Sequence, residues 1–277
     1  MAGDRIRRER LDRILLERGL AQTRNRAQAL ILSGRVRSGT TRLVKPGVKF
    51  PCDVELEVEP GRRYVSRGGH KLEAALGAFD LLVVDRDCVD VGASTGGFTQ
   101  VLLEAGARRV IALDVGRGQL DWSLRIDERV FPMEGINARK LEPVALPFTP
   151  TLAVVDVSFI SLELVLPAVI GRMDRSAEID VVALVKPQFE VGRGLVGRGG
   201  VVKEPRLHRR VLQRAVAFAR EKSWGVAGLI VSPLTGAEGN REFLIHLRPP
   251  GGGLDPETLD RAVKAAIVSP VEREVEK

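Results

Sequence analysis

The chain has 277 residues, 44% of them hydrophobic, with 43 Lys and Arg against 36 Asp and Glu. This length supports a substantial core and two domains, and the apolar content is that of an ordinary globular protein. No apolar run approaches the roughly 18 residues of a membrane span, and Met1-Ala2-Gly3-Asp4-Arg5 opens without the apolar region of a signal peptide, so a cytoplasmic protein off the membrane is expected.

The charge is uneven. Residues 1–63 hold 15 Lys and Arg, 13 of them Arg, against 8 Asp and Glu, whereas residues 64–277 hold 28 of each. A cationic bias confined to one segment points to a polyanionic partner, most simply nucleic acid. Leu11, Ile14, Leu15 and Leu20 recur at helical spacing, with Gly19 as a stop. Thr23 predicts the cap of a second helix with Ala27, Leu30 and Ile31 inward and Arg24, Arg26 and Gln28 outward, ended by Ser33-Gly34. Strand-like pieces follow at Arg35-Val36-Arg37 and at the alternating Val54–Val58, separated by a turn at Lys45-Pro46-Gly47. The expectation is a small α+β module over 1–60, a linker over 61–64 opened by Pro60-Gly61, and a second domain over 65–277.

Within the first module, Arg10-Leu11-Asp12, Leu15, Gly19-Leu20-Ala21, Thr23-Arg24, Ala27, Leu30-Ile31, Gly34 and Val36 carry a pattern that resembles the S4 RNA-binding domain. The resemblance implies that basic side chains of the second helix and the following loop face RNA, which here selects Arg24, Arg26, Arg35 and Arg37. Arg67, in the later Ser66-Arg67-Gly68-Gly69 loop, is added as an RNA contact. Phosphate contacts by such residues give affinity and salt dependence rather than sequence choice.

From Tyr64 the pattern alternates. A helix is predicted over His70–Phe79, then strands at Val89–Val91, Val110–Asp114, Phe131–Met133, Leu152–Asp156 and Val181–Val185. Helices are predicted at Phe98–Ala105, Ser161–Ile170 and Leu207–Glu221, two late strands at Gly228–Val231 and Glu242–Leu247, and a last helix near Pro256–Ile267. Repeating βα units mean an α/β fold, a mainly parallel Rossmann-like sheet with helices on both faces.

The stretch Val89-Asp90-Val91-Gly92-Ala93-Ser94-Thr95-Gly96-Gly97-Phe98 is a strand, an acid, a loop of small residues and a helix start. Glycines there let the backbone approach a ligand closely, and the helix that follows presents unpaired N–H groups. The dinucleotide pattern G-x-G-x-x-G is not met, and a carboxylate at Asp90 repels a pyrophosphate but suits an ammonium. Asp114 ends the next strand, where a carboxylate suits a ribose diol. The pair therefore reads as a site for S-adenosylmethionine (SAM) rather than NAD, with Asp90, Gly92, Ala93, Ser94, Thr95, Gly96, Gly97, Phe98, Asp114 and Asp156 as candidate cofactor residues. No metal is expected, since Cys52 and Cys88, the only cysteines, show no ligand spacing.

Ligand groups gather at the carboxyl ends of strands in such sheets. Asp156 and Lys186 end two of the strands, Glu242 begins the last, and Lys71 opens the helix before the first. Two lysines and two acids beside SAM fit methylation of a ribose 2′-hydroxyl, a poor nucleophile that needs a positioned base. Lys186 is assigned as general base, with Asp156, Lys71 and Glu242 orienting it and the ribose.

Residues 64–248 look like the FtsJ-type ribose 2′-O-methyltransferases, which carry a Lys-Asp-Lys-Glu tetrad, and the whole chain is similar to the TlyA family, also called haemolysin A. The resemblance rests on Tyr64–Leu72, Gly92–Thr99, Asp114-Val115-Gly116, Asp156–Leu162, Leu184–Glu190 and Gly239–Phe243. It implies SAM-dependent 2′-O-methylation of cytidine in ribosomal RNA, free or within ribosomal subunits. It also places Asn137, in Gly135–Arg139, beside the adenine. The family pattern Gly-Asn-x-Glu-aromatic favours Glu242 over Glu238 as the fourth member. Phe189 is open between stacking on a base and packing in the core.

Other chemistries fit less well. The segment Asp156-Val157-Ser158-Phe159 lacks the Pro-Pro of amino-group methyltransferases acting on DNA bases, and neither cysteine is placed for cytosine-C5 attack. A pseudouridine synthase has no use for the Gly92–Phe98 loop. A ribosome-assembly factor that only binds RNA, and the membrane-active protein implied by the haemolysin name, are the alternatives from other classes.

Overall fold

The computed structural model describes residues 7–59, 63–141, 146–174, 177–192, 194–236 and 238–271. The chain divides into two units, Met1–Arg63 and Tyr64–Lys277. The chain start and the Pro60-Gly61 break, both used in the sequence reading, lie outside the described residues.

The first unit runs β1 (Arg8–Arg10), α1 (Leu11–Glu17), α2 (Arg24–Leu32), β2 (Val36–Ser38), β3 (Thr41–Arg42), β4 (Lys49–Pro51) and β5 (Glu57–Val58). β1 pairs antiparallel with β4, and β2 lies between β3 and β5. Leu11 and Leu15 of α1 pack with Ala27, Leu30 and Ile31 of α2 and with Val36 and Leu43. Thr23 caps α2 as expected, its Oγ1 accepting from Arg26 N at 3.1 Å. Two expectations need correction. Only Glu57–Val58 of the Val54–Val58 run is a strand, because Arg18 reaches across to donate to the Cys52 and Val54 carbonyls and holds that stretch as a turn. Leu20 lies beyond the end of α1 and is exposed, because the Leu20 and Ala21 amides turn back onto the Leu15 carbonyl; Ala21 is buried instead.

Asp12 joins α1 to α2. Its side chain is fully buried and accepts from Arg10 Nε and Nη2, both at 3.0 Å, from Arg24 Nε at 3.1 Å and from Gln28 Nε2 at 3.0 Å. Gln28, expected to point outward, thus turns to this carboxylate.

The second unit runs α3 (Gly68–Ala78), β6 (Asp87–Val91), α4 (Gly97–Glu104), β7 (Arg109–Asp114), α5 (Trp122–Arg125), β8 (Val130–Glu134), β9 (Leu152–Val155), α6 (Leu162–Ile170), β10 (Asp180–Val185), α7 (Pro187–Glu190), α8 (Pro205–Glu221), β11 (Gly225–Val231), β12 (Phe243–Arg248) and α9 (Pro256–Val268). Its seven-stranded sheet has the order β11-β12-β10-β9-β6-β7-β8 and is parallel from β10 to β8, with β12 antiparallel to both neighbours. This is the Rossmann-like arrangement of methyltransferases. Strand alternation builds two cores: Val89 and Val91 pack with residues of α6, α8 and α9, while Cys88 packs with α3 and α4. At the amino ends of the strands, Asp87 is neutralised by Arg108 and Arg109, and Asp180 by Arg86 and Arg248. The carboxyl ends are left for a site. Among the described residues, no helix is long and apolar enough to cross a membrane.

Hydrogen bonds from Arg10, joined by Gln28 and Arg24, hold the Asp12 carboxyl far below the usual carboxylate range against the opposing effect of burial. A depressed native value means stabilisation that is complete above the ordinary value near ~4 and is lost as pH falls toward the native one. Protection of the α1 and α2 amides against hydrogen exchange is therefore expected to fall below about pH 4. Asp12→Ala should remove about 1–3 kcal/mol at pH 7 and flatten that acid dependence.

Candidate active site at the carboxyl ends of the sheet

β6 delivers the chain into the loop Gly92–Gly96. Gly92 takes φ +87°, and a Cβ on it would stand 2.3 Å from the Asp156 carbonyl oxygen, so the loop lies directly against the end of β9. Gly96, at φ +96°, abuts the Leu120 and Leu124 side chains. Asp114, at the end of β7, accepts from Ser94 N at 2.8 Å and Gly116 N at 2.7 Å and so fixes the loop from the neighbouring strand.

A cleft of about 900 Å3 opens beside this loop. Of the residues expected at a cofactor, Gly92, Ser94, Asp114, Asn137 and Asp156 line it. Ala93, Thr95, Gly96, Gly97 and Phe98 do not: they make the turn and the first turn of α4, and Phe98 is buried in the core against α3. The Asn137 side-chain Oδ1 accepts from Arg139 N at 3.0 Å, capping a short 3-10 turn at the rim.

Asp90 lies beneath the loop, fully buried. Thr99 Oγ1 donates to its Oδ2 at 2.7 Å, and its Oδ1 has no hydrogen-bond partner among the described residues. Burial pushes its pKa up to about 7; the Thr99 hydrogen bond opposes this, and the nearby charges of Asp156 and Asp114 add to it. A buried acceptor without a donor is costly, and Asp90 lies behind the loop rather than in the lining of the cleft.

The four ionisable groups form two ion pairs. Lys71, buried in α3, donates to Glu242 Oε2 at 2.5 Å. Lys186 Nζ stands 2.6 Å from Asp156 Oδ1, off the line of a hydrogen bond, and donates to Ser158 Oγ at 2.9 Å. Register explains their placement. Val185 is opposite Phe243, which puts Lys186 and Glu242 next in line across β10 and β12. Val155 is opposite Ala183, which puts Asp156 beside Leu184 on the other flank of β10. Glu242 is 2% exposed whereas Glu238 lies on the surface, so the partner of Lys71 is Glu242.

The predicted RNA-facing arginines divide. Arg24 is half exposed on its Asp12 bond, and Arg26 is exposed. Arg35 instead donates twice to the Glu59 carbonyl, at 3.1 and 2.7 Å, which ties β2 to the strand beside it. Arg37 lies between Glu57 and Glu59. Arg67 is half buried and donates to the Thr235 carbonyl at 2.9 Å.

Sequence reasoning missed several residues here. Ser158 and Phe159 line the cleft. Phe159 is 91% exposed at φ +62°, a strained backbone for an aromatic residue, with its ring 5.0 Å from that of Phe189. Asn240 accepts from Val202 N and donates to the Gly200 carbonyl, each at 2.9 Å, while Arg241 donates to the Ala266 and Ser269 carbonyls at the end of α9. Their only sequence signal was membership in Asp156–Leu162 and Gly239–Phe243, the stretches already singled out.

Residues 64–249 match the family model of the FtsJ-like methyltransferase, and residues 9–49 match that of the S4 domain. The chain is 48% identical over 264 residues to the 16S/23S rRNA (cytidine-2′-O)-methyltransferase TlyA of Mycobacterium tuberculosis, covering 94% of this chain and 98% of that protein. It is 37% identical over 238 residues to Hemolysin A of Brachyspira hyodysenteriae, covering 86% and 98%. A solved structure from Streptococcus thermophilus, provisionally named a hemolysin, is 44% identical and superposes with a TM-score of 0.70 over 94% of this chain and 96% of that one. The chain thus belongs to the FtsJ-like methyltransferases, and within them to the TlyA family, whose S4 domain it also carries.

Proposed function

We propose that this chain methylates the ribose 2′-hydroxyl of a cytidine in ribosomal RNA, with SAM as methyl donor and Lys186 as general base. One observation carries the reading: register sets Lys186 opposite Glu242 across β10 and β12, so the pair Lys186–Asp156, whose Asp156 lines the cleft, neighbours the pair Lys71–Glu242. Base-directed C5 chemistry lacks its nucleophile there. The Cys88 thiol is buried in the core and pushed up to about 12 by that burial, and Cys52 lies in the first unit. The relative from Mycobacterium tuberculosis supports ribosomal RNA and cytidine as substrate.

The residues present suit SAM. The Asp90 Oδ1 lacks a donor among the described residues, the close approach of Gly92 to Asp156 leaves backbone rather than side chain at the cleft wall, and Asp114 and Asn137 line the cleft where a nucleoside would be held. SAM supplies an electrophilic methyl group on a sulfonium. Asp90 would hold the amino-acid end, and Asp114 and Asn137 would hold the ribose and adenine. Lys186 accepts the 2′-hydroxyl proton at Nζ, and Asp156 and Ser158 orient the lysine. Lys71, held by Glu242, places positive charge beside it and positions the ribose. Phe159 offers an aromatic face to a base at the mouth. The basic first unit brings in the RNA through Arg24 and Arg26 on α2, whereas Arg35, Arg37 and Arg67 are engaged within their own chain. Ribosomes and SAM place this work in the cytoplasm.

Lys71→Ala and Lys186→Ala are each expected to lower kcat at least about 100-fold while SAM binding persists. The assay is transfer of labelled methyl to separated small- and large-subunit RNA, followed by mapping. Label on a base rather than a sugar sinks the reading, as does full activity of both variants. Phe159→Ala should raise KM for RNA and leave SAM affinity unchanged. The raised value of Asp90 means that the native state holds a proton the unfolded chain has lost between about pH 4 and 7, so stability falls as pH rises through that window. Asp90→Asn is expected to raise the ligand-free melting temperature at pH 8 but not at pH 4, and to weaken SAM binding about tenfold by calorimetry.

A further inference from the structure

The balanced charge of residues 64–277 hides a local excess. Residues 193–222 hold nine Lys and Arg against two Asp and Glu, and most of these belong to α8. The buried face of α8 is His208, Val211, Leu212, Val216 and Ala219. Arg206, Arg209, Arg210, Gln213 and Arg220 are exposed, and at 100° per residue they fall on the opposite face as one stripe. Glu204, at the helix start, pairs with Arg206; among the described residues, Arg209 and Arg210 have no acidic partner. The stripe begins next to the site. Gly192 and Val196 line the cleft, and Val202, three residues before α8, is held by the Asn240 side chain, two residues from Glu242.

We propose that this arginine stripe is a second RNA-binding surface, on the methyltransferase unit itself, that grips the phosphate backbone of the strand whose nucleotide enters the cleft. The inference rests on the RNA-methylating reading above. Guanidinium groups such as those of Arg209 and Arg210, with no acidic partner among the described residues and no interleaved aromatics, suit phosphates rather than base edges. A membrane surface is the weaker partner: a helix that lies on lipid inserts an apolar face, whereas that of α8 is buried against the sheet and none of its large apolar residues is exposed.

The test uses the full chain. Arg206→Gln, Arg209→Gln and Arg210→Gln are combined and compared with a control that neutralises Arg129, Arg261 and Lys264, three exposed cations outside α8, each paired with a nearby acid of its own segment. Affinity for purified large- and small-subunit ribosomal RNA is measured against salt concentration. The stripe variant is expected to lose at least tenfold in affinity at low salt and about 2 units of the log–log salt slope. The control keeps its slope, and SAM affinity and melting temperature match wild type throughout. Arg→Lys at the same three positions should restore the slope. The proposal is overturned if stripe and control variants lose affinity equally, or if the stripe variant loses binding to phosphatidylserine vesicles but not to RNA. Wild-type protein that binds RNA yet puts no label on ribose refutes the methylation reading instead, and the slope comparison still judges the stripe.

Discussion

The buried ion pair between Lys71 and Glu242 is the constraint around which the second unit is arranged. It joins residues 171 positions apart, with side chains 10% and 3% exposed. Two charges so far from water persist only together, since removing one leaves the other uncompensated at a cost of about 3–5 kcal/mol. The fold must therefore bring α3 to the end where β12 meets β10, and it must start β12 at the right residue. Gly236 serves the same end, because a Cβ there would stand 2.5 Å from Glu242 Oε1.

Much of this architecture was legible from local pattern. Val181–Val185 is apolar at every position because β10 is buried on both faces, and Asp156 and Lys186 could be placed because each follows such a run. Thr23 announced α2 by the chemistry of its own hydroxyl. The misses share a cause. β1, Arg8-Glu9-Arg10, has neither apolar alternation nor strand-forming residues, and it exists because β4 pairs with it. The importance of Asp12 comes from donors up to 16 residues away. The strained backbone of Phe159 and the reach of Arg241 to α9 are consequences of packing that no neighbouring residue encodes.

Charge shows the same limit of averaging. Over the first unit, the sum of charges and their placement agree, and a basic partner surface is visible at once. Over the second unit the sum is zero, yet the zero combines carboxylates gathered at strand ends with arginines gathered on one helix. Individual arginines need the structure as well: Arg35 and Arg67 hold backbone carbonyls of their own chain, while Arg209 and Arg210 face solvent.

Arg241 carries one last consequence. Its guanidinium, pushed below its ordinary value by burial, grips carbonyls at the end of a helix that lies beyond the residues matched by the methyltransferase model. The negative end of that helix's dipole is a natural seat for the cation. Helix α9 is therefore anchored one peptide bond from Glu242, and a cleavage or fusion that pulled on it would tug on the buried Lys71–Glu242 pair.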